Sequence, residues 1–108
     1  MIIYHITDHA LWQEALERGT YRHPSLAAEG FIHCSSEAQL QPTLDRYFAE
    51  AKEVVVLGIV DRRVKQSLKW EESTNEELFP HIYGGFEITA VEEQFSYSRG
   101  KDGAWERD

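Results

Sequence analysis

The run EVVVLGIV, residues 53–60, decides how this chain folds. Its β-branched residues are nearly continuous, with no polar side chain alternating between them. That pattern suits a strand covered on both faces in the middle of a sheet. Upstream, Leu40, Leu44, Tyr47, Phe48 and Ala51 fall at helical spacing and make one apolar face. Ser36 and Gln39 predict a capping box at its start, and Pro42 predicts either that start or a kink. "FIHC" (31–34) reads as a short strand and "YRHPSLAAEG" (21–30) as an irregular loop, since Pro24 keeps His23 out of the helical region. Before it, "IIYHI" (2–6) predicts a strand and Leu11, Trp12, Ala15 and Leu16 a helix, with Thr7 and Asp8 as caps and Gly19 as its stop.

Downstream of the central run, "LKWEES" (68–73) predicts a strand and "STNEEL" (73–78) an exposed turn. "FPHIYGGF" (79–86) crosses back to the core, "ITAVEEQFSYS" (88–98) is a last strand, and "RGKDGAWERD" (99–108) reads as a flexible tail. The order is β-α-β-α followed by strands, an α+β arrangement with one domain over residues 1–98.

Composition narrows the function classes. The chain has 108 residues, is 42% hydrophobic and 12% aromatic, and so has material for an ordinary core. Nineteen acidic against 11 basic residues give a net charge of −8, which argues against general nucleic-acid affinity, because that requires Lys and Arg to displace phosphate counterions. One cysteine forms no internal disulfide, and no apolar run reaches the roughly 20 residues of a membrane span. The expectation is a cytoplasmic protein without membrane contact.

Three of five histidines share a local grammar. His5 precedes Thr7, His33 precedes Ser35, and His81 precedes Tyr83, each pair two apart and so on one face of a strand. A single such histidine is more often a structural hydrogen-bonder. Three together predict a polar pocket at neighbouring strand ends, served by imidazoles whose ordinary titration lies near neutral pH. A zinc site is the alternative, since His5, His33, Cys34 and His81 carry suitable atoms, but no paired-ligand spacing supports it. Cys34 lies on the opposite strand face from His33 and reads as a small buried residue. Glu71 and Glu72 beside Trp70 include a candidate base, with a solvated strand end as the plainer reading. Gly84-Gly85 lacks any phosphate-loop pattern and reads as a turn.

"IYHIT", the Trp-bearing helix, "YRHPSLAAEGFIHCS", "VVVLGI" and "WEESTNEELFPHIYG" together resemble domain of unknown function family 952, from about Met1 to Val91. The resemblance implies an ADP-ribosyltransferase-like fold, with a split, mostly antiparallel sheet and two main helices. His5-Ile6-Thr7 is similar to the His-Gly-Thr motif of tRNA 2′-phosphotransferases, and Ile32-His33-Cys34-Ser35 to their Val-His-Leu-Ser. Val55 to Asp61 is similar to a strand of theirs.

By that resemblance NAD would be the co-substrate and its nicotinamide–ribose bond would be cleaved. His5, Ile6, Thr7, Phe31 and Ser35 would bind NAD, and His33, His81 and Tyr83 would carry the chemistry. Departures are visible. Pro80, His81 and Tyr83 stand where related branches place a Glu, Ile6 replaces a Gly, and only Arg22 and Arg46 are available for a phosphate. The acceptor is not indicated. A non-catalytic nucleotide- or metabolite-binding domain and a metal-dependent hydrolase using the three histidines remain the alternatives.

Overall fold

The computed structural model describes residues 1–108. Its elements run β1 (Ile2–Thr7), α1 (His9–Arg18), β2 (Thr20–Tyr21), α2 (Ser25–Ala28), β3 (Ile32–His33), α3 (Glu37–Tyr47) and β4 (Glu53–Val60). Then follow β5 (Leu68–Glu72), β6 (Leu78–Ile82), β7 (Phe86–Glu87), β8 (Val91–Arg99) and β9 (Trp105–Arg107), with short 3-10 turns between several of them. The result is α+β with three helices. Every strand pair is antiparallel, in sheets ordered β1-β4-β8-β9, β2-β7 and β3-β6-β5.

β4 is buried from Val54 to Val60 between β1 and β8, as an unbroken apolar run requires. Its period-two geometry feeds two cores. Val55, Leu57 and Ile59 join Ile3, Trp12, Tyr21 and Ile82, while Val54 and Val56 join Leu40, Leu44 and Trp105 on the other face. Gly58 has no side chain because Glu93 lies over it. A Cβ there would stand 2.6 Å from Glu93 Cγ, and the β4–β8 register shifts at this point.

The helix signals are realised. Asp8 accepts from the Leu11 N–H at 2.8 Å, and Gly19 closes α1 at φ 83°, a left-handed conformation that favours glycine. Ser36 and Gln39 form the reciprocal capping box of α3. α3 begins at Glu37 and runs through Pro42, with Thr43 Oγ1 donating to the Gln39 carbonyl beside it. Of the predicted apolar face, Leu40 and Leu44 are buried, while Tyr47 is 60% exposed and turns away from the core.

Two expectations need correcting. Residues 21–30 are not an irregular loop throughout, because Tyr21 pairs with Phe86 and Ser25–Ala28 make one helical turn. Residues 99–108 are not a loose tail. β9 pairs with β8, Trp105 is only 7% exposed, and Arg99 stacks 4.0 Å over its ring. The Arg99 guanidinium also donates to the carbonyls of Phe48, Ala49, Ala51 and Gly103. One tryptophan and one arginine therefore dock a segment whose composition is otherwise that of a solvated end.

Candidate functional site

The small β3-β6-β5 sheet places His33 directly opposite His81, and the two rings lie edge to face with centroids 5.4 Å apart. β1 is joined to the end of β3 by reciprocal backbone bonds between Tyr4 and Ser35, at 2.8 and 2.7 Å. That joint brings His5 onto the same cavity, with its Nδ1 on the His33 carbonyl. His5, His23, His33 and His81 all line a cavity of about 480 Å³, together with Glu29 and Ser35. The size is in the range of small-molecule sites.

His5 is 2% exposed and fully engaged. Its Nδ1 lies 2.6 Å from the His33 carbonyl, which can only accept, so Nδ1 carries the proton. Its Nε2 lies 2.6 Å from the Tyr21 hydroxyl, which is itself 2.8 Å from Thr7 Oγ1. Burial depresses the His5 pKa to about 3, outweighing the bond to the His33 carbonyl. A neutral His5 therefore accepts a hydrogen bond from the Tyr21 hydroxyl on Nε2, and the same hydroxyl lies within hydrogen-bond reach of Thr7 Oγ1. Burial also pushes the Tyr21 phenol up. His23 packs edge-on to His5 at 5.1 Å and accepts the Ser25 N–H on Nδ1, and burial holds it below the usual imidazole range.

The other two histidines each have a carboxylate. His33 Nε2 is 2.8 Å from Glu29 Oε2, four residues earlier, with both side chains about half exposed. The hydrogen bond from His33 keeps Glu29 below its usual carboxylate range. His81 is 4% exposed, and its Nδ1 is 2.9 Å from Glu71 Oε1. Glu71 also accepts from the Tyr83 hydroxyl at 2.6 Å, the larger cause of its depressed pKa. Phe31 stacks on the His81 ring at 4.1 Å and 20°. His81 Nε2 is buried without a partner. The other two such atoms, the indole nitrogens of Trp12 and Trp105, belong to core residues.

No Lys or Arg lines the cavity, and Glu29 is its one carboxylate. One side is closed by the hydroxyls of Tyr47 and Thr74, which are hydrogen-bonded to each other. The turn that carries Thr74 holds Asn75 and Glu76 at φ 56° and 63°, both in the left-handed region. Cys34 reaches the wall as well, but burial pushes its thiol far up, so it is no thiolate nucleophile.

Of the residues singled out in the sequence, His5, Ile6, His33, Ser35 and His81 meet on this cavity. Thr7 lies behind it, bonded to Tyr21, while Phe31 and Tyr83 back His81 from outside the wall. Sequence reasoning missed Glu29, His23 and Tyr21. The spacing of Glu29 and His33 was the available signal, but it spans a turn rather than one helix. No three His, Cys, Asp or Glu side chains are grouped to hold a metal ion. No helix is long and apolar enough to cross a membrane.

The family described as Protein of unknown function (DUF952) matches residues 6–94. The crystal structure of protein CC0527 from Caulobacter crescentus is similar, with 29% identity, a TM-score of 0.89, and 98% of this chain and 94% of that chain covered. Its solution NMR structure gives 30% identity, a TM-score of 0.82, and coverage of 95% and 90%. No curated protein matches the chain.

Proposed function

The chain belongs to the DUF952 family, whose description leaves the activity open, and we propose that its histidine-walled cavity cleaves the nicotinamide–ribose bond of NAD on an ADP-ribosyltransferase-like fold. The observation that carries this reading is the convergence of His5, His33 and His81 with a carboxylate, Glu29, on one cavity. Rupture of an N-ribosyl bond develops positive charge on the sugar. Glu29, held ionised by His33, is a negative group at the wall to meet that charge. This supplies the carboxylate that Pro80, His81 and Tyr83 do not.

The fit is to the nicotinamide–ribose end of the co-substrate. Ser35 and Thr43 offer hydroxyls to ribose, Phe79 and Phe48 offer apolar wall to a flat ring, and the pyrophosphate belongs outside a cavity with no cation. When bound, NAD supplies the ribosyl group and the nicotinamide leaving group. His5 has both nitrogens committed, so its part is to fix the His33 backbone and the strand joint rather than to grip the sugar. A non-catalytic domain that binds a small neutral metabolite is the second reading, favoured by that same absence of cations from the cavity wall.

The test is histidine-ring NMR during NAD titration, followed by nicotinamide release. Coincident shifts of His23, His33 and His81, and release that Glu29→Gln reduces roughly 100-fold, are expected. Saturable binding with no release would end the cleavage reading. No shift up to millimolar NAD would end the NAD proposal.

A further inference from the structure

The proposed cleavage needs a group to take the proton from the incoming nucleophile. Resting on that N-glycoside reading, we propose that His81 Nε2 is the general base of a subsite for a neutral hydroxyl acceptor, with Glu71 and Tyr83 as positioning residues.

The assignment starts from a tautomer. A carboxylate only accepts, so the 2.9 Å contact with Glu71 puts the His81 proton on Nδ1 and leaves the lone pair on Nε2. Tyr83 donates to the same Glu71 oxygen at 2.6 Å, and Lys69 lies 4.9 Å over the Tyr83 ring. The carboxylate is thereby fixed in place and kept ionised, and the imidazole is fixed by it. Stacking by Phe31 removes the remaining freedom of the ring.

A buried acceptor without a hydrogen bond is uncommon and destabilising. His81 is 96% buried by its 4% exposure and lines the cavity, so a ligand hydroxyl is the missing donor. The atom is closed to bulk water, and the neighbour with room to turn is the half-exposed His33 ring, bonded only through Glu29. The class of acceptor follows from charge. Four imidazoles, Glu29 and no Lys or Arg face the cavity, so a phosphate or carboxylate acceptor would meet a like charge and no counter-ion. A neutral hydroxyl would not.

In the step, the acceptor oxygen forms its bond to the anomeric carbon while its proton moves to His81 Nε2. The bond from that carbon to nicotinamide breaks, and its electron pair stays on the ring nitrogen, so nicotinamide departs neutral. The imidazolium is paired with Glu71 and gives up its proton to water once the product has left and the site has opened. No oxidant or reductant is required.

The first readout needs no substrate. Ring ¹⁵N NMR of the full chain should show His81 protonated on Nδ1 and bare on Nε2, with Glu71→Gln moving it toward a mixture. A proton on Nε2 in the wild type overturns the proposal. The second readout is nicotinamide release. Glu71→Gln and His81→Asn should keep NAD-induced shifts of His33 and lose about 100-fold in release. Release unchanged in both, while Glu29→Gln impairs it, overturns the base assignment and leaves the NAD reading standing. A wild type that neither binds nor cleaves NAD overturns the N-glycoside reading, and the base role with it, whatever the tautomer.

Discussion

The four-stranded sheet and the three-stranded sheet differ in what they bury. In the first, β4 is covered on both faces by Val, Ile and Leu from its neighbours and helices. In the second, the central strand β6 buries Pro80, His81 and Ile82 side by side, and the imidazole depends on a carboxylate from β5. One sheet spends its interior on apolar area, the other on a polar arrangement that apolar burial alone would disfavour. His5 sits on the seam, in a strand of the first sheet with its Nδ1 on the backbone of the second. The contrast places continuous apolar burial in one sheet and the buried polar groups of the candidate site in the other.

Perturbing each sheet tests that division. Leu57→Ala in β4 should destabilise by about 2–5 kcal/mol in a denaturant titration, since Leu57 is fully buried and its cavity cannot refill. A small loss would mean that apolar burial in the large sheet contributes little. Arg99→Met should cost about 1.5–3 kcal/mol, through carbonyls that lose a charged donor, and should raise hydrogen exchange in β9. Unchanged β9 exchange would show that Trp105 docks without it.

The seam should be sensitive to acid. His5 has a folded-state pKa of about 3, below its ordinary 6.5, so the unfolded chain binds a proton that the folded one does not. Stability is then full above the unfolded value and falls as pH drops from 6.5 toward 3, by about 1.4 kcal/mol per pH unit from this one group. The depressed His23 adds in the same direction. Unfolding at pH 7, 6 and 5 should show the slope, and His5→Gln should flatten it. A flat wild-type profile would mean that His5 is protonated in the fold. Smaller still, Ser36→Ala should cost about 1 kcal/mol by removing the α3 cap. Glu29→Gln should leave the melting midpoint unmoved, which separates the site from the scaffold.

The large sheet was legible because its rule is local. A β-branched run, a capping box and a cap glycine each act within a few residues, so 53–60, Ser36 with Gln39, and Gly19 could be read directly. The site was half legible for the same reason. The histidines announce themselves by their apolar flanks, but Glu71 reaches His81 only through the β5–β6 register, and Tyr21 reaches His5 only when β2 pairs with β7. Trp105 fell outside the reading because one aromatic in a charged segment sets up no period. Its burial depends on Arg99 and on the exposed end of α3.

The register of the large sheet also bears on how the chain is made. Ile2 stands opposite Val60 and Thr7 opposite Val55, and β4 in turn needs Val91 to Ser98 on its other edge. During synthesis, at about 5–20 residues per second, β1 waits several seconds for β4, its one partner in the large sheet. Until then Ile2, Ile3 and Ile6 have only transient shelter, and α1 and α3 can coil before any sheet exists to receive them. A nascent chain arrested just short of residue 60 should be captured by hydrophobic-sensing chaperones, and one extended past β8 should escape them.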